Sequence, residues 1–170
     1  MARRATIAAV QAMEVHTRER KALGLDPGSK RMGVAASDDL GLLAFGRGVI
    51  ALSGGRKDFE RVREWVEREG ARVVVVGLPL SLDGSEGPAA RAALAFAERL
   101  RGFVSCPVVS WDERYTSVDA EMGMREAGTR REKRRQRIDQ EAARFMLQAW
   151  LDAERARRER DEQAREEPTG

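Results

Sequence analysis
The sequence predicts a single α/β layered domain, and three observations carry that expectation. The run RVVVVG (residues 72–77) is β-branched throughout, too short for a helix and apolar on both faces, as a parallel strand covered from both sides must be. Segments of helical periodicity alternate with short apolar runs along the chain. Finally, 170 residues with 42% hydrophobic content suit one core and leave no room for two full domains.

Each element has its own local signal. Residues 1–21 carry no strand pattern and read as an N-terminal extension; a domain is expected over 22–152 and a charged tail over 153–170. KALGLDPGSKRMGVAASDD places apolar residues on both sides of an Asp-Pro-Gly turn, which predicts two paired strands, with LLAFGRGVI as a third. Residues 56–69 set Phe59, Val62 and Val66 on one helical face with Trp65 beside them, and Gly70 stands where a helix end favours a left-handed residue. After the central strand and the loop LPLSLDG, Ser85 is placed to cap a helix with Pro88 in its first turn. Ala89, Ala92, Ala93, Phe96, Ala97 and Leu100 would line that helix before Gly102. CPVVSW reads as a further strand, Thr116 to Ala127 as a helix ending at Gly128, and Ile138 to Leu151 as the last helix, with a stripe of Ile138, Ala142 and Phe145. Beyond Leu151 the chain is polar on every side, so fraying is expected.

Composition removes several function classes. A lone Cys106 cannot form an internal disulfide, and with a lone His16 it cannot assemble a structural zinc site. Any metal must then be held by carboxylates. No apolar run is long enough for a membrane span, so a soluble, cytoplasmic protein is expected. Lys and Arg number 31 against 28 Asp and Glu, so affinity for nucleic acid has to come from clustered charge.

Ligands of open α/β sheets bind beyond the carboxyl ends of strands, which singles out three acids. Asp26 interrupts the apolar LGLD where Pro27 and Gly28 force a turn; an Asx turn would use the same residue. Glu113 follows CPVVSW beside Asp112, and two solvated loop acids would look the same. Asp139 precedes Ala143, Met146 and Trp150 by four, seven and eleven positions, hence on or beside an apolar stripe, although an N-cap would also favour Asp. Three carboxylates over one sheet edge repel one another and call for divalent cations. Two hard cations held in this way activate water and stabilise the leaving oxygen of a phosphodiester.

DPGSKRMGVAASD, VVVVGLPLSLDG, WDERYTSVDAE and RIDQEAARFMLQAWLD, in that order, resemble the four motifs of the YqgF/RuvX family. That family is associated with pre-16S ribosomal RNA cleavage and described as Holliday-junction-resolvase-like; the resemblance spans about residues 23–151. It implies an RNase H-like fold, with a five-stranded mixed sheet whose second strand is antiparallel and helices flanking it. It also implies metal-dependent phosphodiester hydrolysis supported by Mg²⁺ or Mn²⁺, with Asp26, Glu113 and Asp139 as catalytic and metal-holding acids. Arg114, Thr116 and Ser117 follow as residues for phosphate contact or helix capping. The chain departs from the pattern at Tyr115, Gln140, Glu141 and Arg144, and Glu141 adds an acid of unassigned role.

TRREKRRQRI, with six basic residues to one acid, leads directly into Asp139 and reads as a track for a substrate backbone through Arg131, Arg134 and Arg135, reinforced by Lys30 and Arg31. A solvated loop is the plainer alternative. The expected partner is RNA, specifically pre-16S rRNA in a ribosome precursor. Branched DNA is the alternative substrate, and it would require a dimer. A non-catalytic RNA-binding adaptor fits poorly with three acids facing a polyanion, and an actin-like phosphotransferase needs a second domain. Because the apolar stripes are spent on the sheet, a monomer is expected.

Overall fold
A computed structural model of the protein describes residues 21–115 and 131–166. Five strands, β1 (Ala22–Pro27), β2 (Arg31–Ser37), β3 (Ala44–Ala51), β4 (Val73–Leu78) and β5 (Val108–Asp112), form one sheet in the order β3-β2-β1-β4-β5. β2 runs antiparallel to β1 and β3, whereas β4 is parallel to β1 and β5. This is the RNase H-like arrangement that the motifs implied. Helices α1 (Arg56–Glu69) and α2 (Pro88–Leu100) cover one face, and α3 (Arg131–Glu166) lies across β1, β2 and β3 on the other.

Alternation along β1 explains the two layers. Leu23 and Leu25 point toward α1 and α2 and join Phe59, Val62, Val66, Ala97 and Leu100 in one core. Stacking of Phe59 on Phe96 and on Phe103, each with centroids 4.9 Å apart, ties the two helices together. On the opposite face β1 offers only Ala22, Gly24 and Asp26, and β2 offers Gly33 and Ala35. These small residues let α3 come close: a Cβ on Gly24 would lie 2.8 Å from Cβ of Leu147, and one on Gly33 would overlap the carbonyl oxygen of Asp139. Ala143, Met146, Leu147, Trp150 and Leu151 are the buried stripe of α3. Each large member contributes about 1.5–3 kcal/mol of apolar burial. At the sheet edge Gln148 receives a hydrogen bond from the Ala44 amide (2.8 Å) and donates one to the Leu42 carbonyl (2.9 Å), fixing α3 to the start of β3.

Several boundaries differ from the expected ones. The basic run from Arg131 onward and the first part of the charged tail are both helical, because α3 continues on each side of the predicted 138–151 segment. Arg, Glu, Gln and Ala are good helix formers, and pairs such as Asp152–Arg155 (3.1 Å) and Arg157–Asp161 (3.0 Å) support the exposed turns. The domain boundary drawn after residue 152 therefore falls inside a helix. Ile138 is 41% exposed, and Ala142 and Phe145 are only half-buried, so the predicted stripe is displaced by one position to the Ala143 set. Gly87, not Ser85, is the N-cap of α2, and Ala89 and Ala92 are exposed whereas Ala90 is buried. Gly70 does adopt the left-handed conformation (φ 63°) and closes α1. The helix predicted over Thr116 to Ala127 lies outside the described residues.

Candidate active site
The carboxyl ends of β1, β4 and β5 bring two of the three predicted acids together. Asp26 pairs in register with Gly33 of β2, and Leu25 before it pairs with Val76 of β4, so Asp26 is flanked by Gly33 and Gly77. Both glycines leave room above the sheet on the α3 side. The Gly33 gap takes the backbone of Asp139, and the Gly77 gap takes the side chain of Glu113, whose Oε1 a Cβ there would overlap. Glu113 opens the single 3₁₀ turn (Glu113–Tyr115) that follows β5. A sequence reader sees two glycines in strands, the mark of a close approach, but not what approaches.

Asp26 and Glu113 share a side-chain hydrogen bond, and both titrate above their ordinary values. Burial pushes Glu113 up most, the bond to Asp26 and the charges of Asp26 and Asp112 push it further, and it reaches about 9. For Asp26 burial also raises the pKa and the charge of Asp139 adds to it, while the bond from Glu113 opposes both. Burial and the neighbouring carboxylates thus favour the protonated form of Glu113 in the metal-free chain. Glu113 Oε1 is buried without a hydrogen-bond partner.

Asp139 sits two turns inside α3, which excludes the helix-cap role, and stands on the buried stripe. Its carboxylate accepts a hydrogen bond from Nε of Arg31 at 2.7 Å. Among the described residues no three acids are gathered closely enough to surround one ion. The donor set nevertheless suits a hard divalent cation: two neighbouring buried carboxyl groups, an orphaned carboxyl oxygen and a third carboxylate whose charge reaches Asp26.

Asp112 is a site residue that sequence reasoning set aside. It is buried at the end of β5 and receives hydrogen bonds from the backbone amide (3.0 Å) and Nε (2.8 Å) of Arg114. The Arg114 guanidinium holds its carboxyl below the usual value against the effect of burial. Glu141 forms an ion pair with Arg144 at 3.0 Å, which gives that additional acid a structural partner. Arg131, Arg134 and Arg135 are exposed in the first turns of α3; Arg135 and Arg131, four and eight residues before Asp139, lie on the side of the helix that continues to it, whereas Arg134, five before it, is turned away. Lys30 is exposed in the β1–β2 turn, whereas Thr116 lies outside the described residues. A groove of about 840 Å³ lined by Gly28, Phe59, Ala92, Phe96 and Arg99 opens on the α1/α2 side of the sheet and contains none of the three acids.

The family pattern of RuvX, described as Holliday junction resolvase, matches residues 20–153. The chain belongs to the RuvX family. Within it, the chain is 47% identical over 135 residues to a "Putative pre-16S rRNA nuclease" of Synechococcus sp. (strain JA-2-3B'a(2-13)), covering 79% of each chain. It is 44% identical over 137 residues to the protein of the same name from Geobacillus kaustophilus, covering 79% of this chain and 99% of that one. Among solved structures, this RuvX chain is similar to "T. thermophilus RuvC in complex with Holliday junction substrate", at 17% identity and a TM-score of 0.49, over 78% of this chain and 95% of that one. Asp26, Glu113 and Asp139 fall within the RuvX match, together with the whole sheet and the part of α3 up to residue 153. No helix among the described residues is long and apolar enough to cross a membrane.

Proposed function
We propose that this RuvX-family chain is a metal-dependent nuclease that hydrolyses phosphodiester bonds in RNA, acting in the cytoplasm in maturation of pre-16S ribosomal RNA. The observation that carries the chemistry is the meeting of Asp26 and Glu113 at the carboxyl edge of the sheet, with the Asp139 backbone seated against Gly33 beside them. The RNA substrate is supported by the names of relatives 47% and 44% identical to this chain.

Asp26, Glu113 and Asp139 would hold Mg²⁺ or Mn²⁺, and the bound metal supplies an activated water and charge stabilisation at the leaving oxygen. With a cation bound, Glu113 would be held as a carboxylate, its proton lost to solvent, and Asp26 and Glu113 would both serve as charged donors. Asp139, now hydrogen-bonded by Arg31, would serve as the third carboxylate donor, and the Arg31 guanidinium beside it would be placed to meet a phosphate oxygen. Gly33 and Gly77 keep the acids close to the sheet without steric conflict. Arg131, Arg134 and Arg135, with Lys30, form a basic approach for the substrate backbone.

The deciding experiment incubates the protein with Mg²⁺ or Mn²⁺ and either a pre-16S rRNA fragment or a four-way DNA junction, with Asp26→Asn, Glu113→Gln and Asp139→Asn as controls. RNA cleavage by the parent protein alone, stopped by chelation, is expected. Cleavage that survives exhaustive chelation or all three substitutions overturns the metal site. Paired, symmetric cuts in the junction by a dimer, with RNA spared, would replace this reading with a resolvase.

A further inference from the structure
The loop between β4 and α2 presents an apolar side chain to water from a well-bonded frame. Leu82 is 97% exposed, the most exposed large hydrophobic residue among those described. Single exposed leucines are common and need no explanation when they sit on loose loops. This loop is not loose. The Ser81 amide donates to the Ser85 carbonyl (3.1 Å), the Gly84 amide to the Ser81 carbonyl (2.8 Å), and the Ser85 amide to the Asp83 carboxylate (2.9 Å). Gly84 takes a φ of 82°, a conformation that favours glycine, and its open Cα brings it close to Nη1 of Arg114. Arg114 Nη1 also reaches the Leu82 carbonyl at 3.5 Å, while Asp112 clamps the other side of the guanidinium. The residue that buttresses Leu82 is thus the one directly after Glu113.

We propose that Leu82 packs against an unpaired base of the RNA strand beside the scissile phosphate and so positions that strand over Asp26 and Glu113. The inference rests on the nuclease reading and adds a substrate contact that the acids do not make. The loop lies at the carboxyl end of β4, on the edge where those acids lie, so a strand held there passes it. The Leu82 side chain has no donor to offer a phosphate, and the cation nearest it, Arg114, is held by Asp112. Base faces are the apolar surface that a nucleic acid can offer to such a side chain, and single-stranded RNA exposes them. Arg114 and Asp112 are positioning residues here, because they hold the loop that carries the contact.

The test compares wild type, Leu82→Ala and Leu82→Met in the full chain, on a single-stranded RNA and on the same RNA with one abasic site next to the cut. Leu82→Ala should leave the melting temperature unchanged, raise KM and the RNA Kd about tenfold, as loss of one buried leucine contact would, and leave kcat nearly intact. Leu82→Met should behave as wild type. The abasic RNA should bind the wild type as weakly as Leu82→Ala binds the intact RNA, with no further loss on combining the two. Equal binding and cleavage by wild type and Leu82→Ala, or equal losses on intact and abasic RNA, overturn the proposal. Leu82-dependent RNA binding without any cleavage would leave the contact standing and overturn the nuclease reading, and a wild type that neither binds nor cuts RNA overturns both.

Discussion

Gly77 leaves open the space that the Glu113 carboxylate fills, and a methyl group there would overlap its Oε1. Gly77 pairs with Trp111 in the β4–β5 register and follows Val76, the partner of Leu25 in β1. The vacancy is thus what lets an acid from β5 lean across β4 to meet Asp26. Gly77→Ala should retain the sheet, because its φ is not left-handed, and should reduce cleavage about 100-fold or more by displacing one acid by an ångström or so. Circular dichroism and single-turnover rates check this; full activity would show that Glu113 tolerates the shift.

The raised pKa of Glu113 predicts how metal-free stability varies with pH. Glu113 binds its proton far more tightly when folded, at about 9, than its ordinary value of 4.5. Between these values the folded chain holds more protons than the unfolded one, so stability falls as pH rises through that window. Glu113→Gln should remove most of the slope and raise the melting temperature at pH 8. Melting curves of chelated protein from pH 5 to 9 measure it, and parallel slopes for parent and variant would refute the raised pKa.

Asp58 is predicted to stabilise the β3–α1 connection. Its carboxylate accepts hydrogen bonds from the Ser53 amide, the Ser53 hydroxyl and the Gly54 amide, each at 2.8 Å. Burial alone would raise its pKa, but these bonds and Arg61 outweigh it and hold the pKa below the ordinary value. This contribution is present above the unfolded value of 3.8 and is lost as pH falls through the lower folded one. Asp58→Ala should cost about 2 kcal/mol at neutral pH in urea titrations and little at pH 2. Equal losses at both pH values would mean the effect is packing alone.

The basic turns of α3 are predicted to bind backbone and not sequence. Replacing Arg131, Arg134 and Arg135 together by Gln should weaken RNA binding of all sequences alike and flatten the salt dependence by up to about one unit of log–log slope per lost phosphate contact. Binding isotherms between low and moderate salt test it. An unchanged slope would return these residues to a solvated helix face.

Local residue patterns and long-range packing account for different parts of this molecule. Strands and helices with strong local signals were legible: the β-branched run became β4, the periodicity of 56–69 became α1, and Gly70 closed it in the left-handed conformation. The order of the motifs also marked Asp26, Glu113 and Asp139. Local pattern could not show that α3 runs unbroken from Arg131 to Glu166, because its ends are polar all round and gain their stability from propensity, ion pairs and attachment to a buried middle. Nor could it tell which acids meet. Residues 26 and 113 meet, while residue 139 turns to Arg31, because strand register, two missing side chains at Gly33 and Gly77, and the seat of α3 set those distances. Residue type and spacing report which face a side chain occupies, whereas the meeting of two acids depends on ångström separations between segments distant in the chain, and only the packed sheet and helix set those.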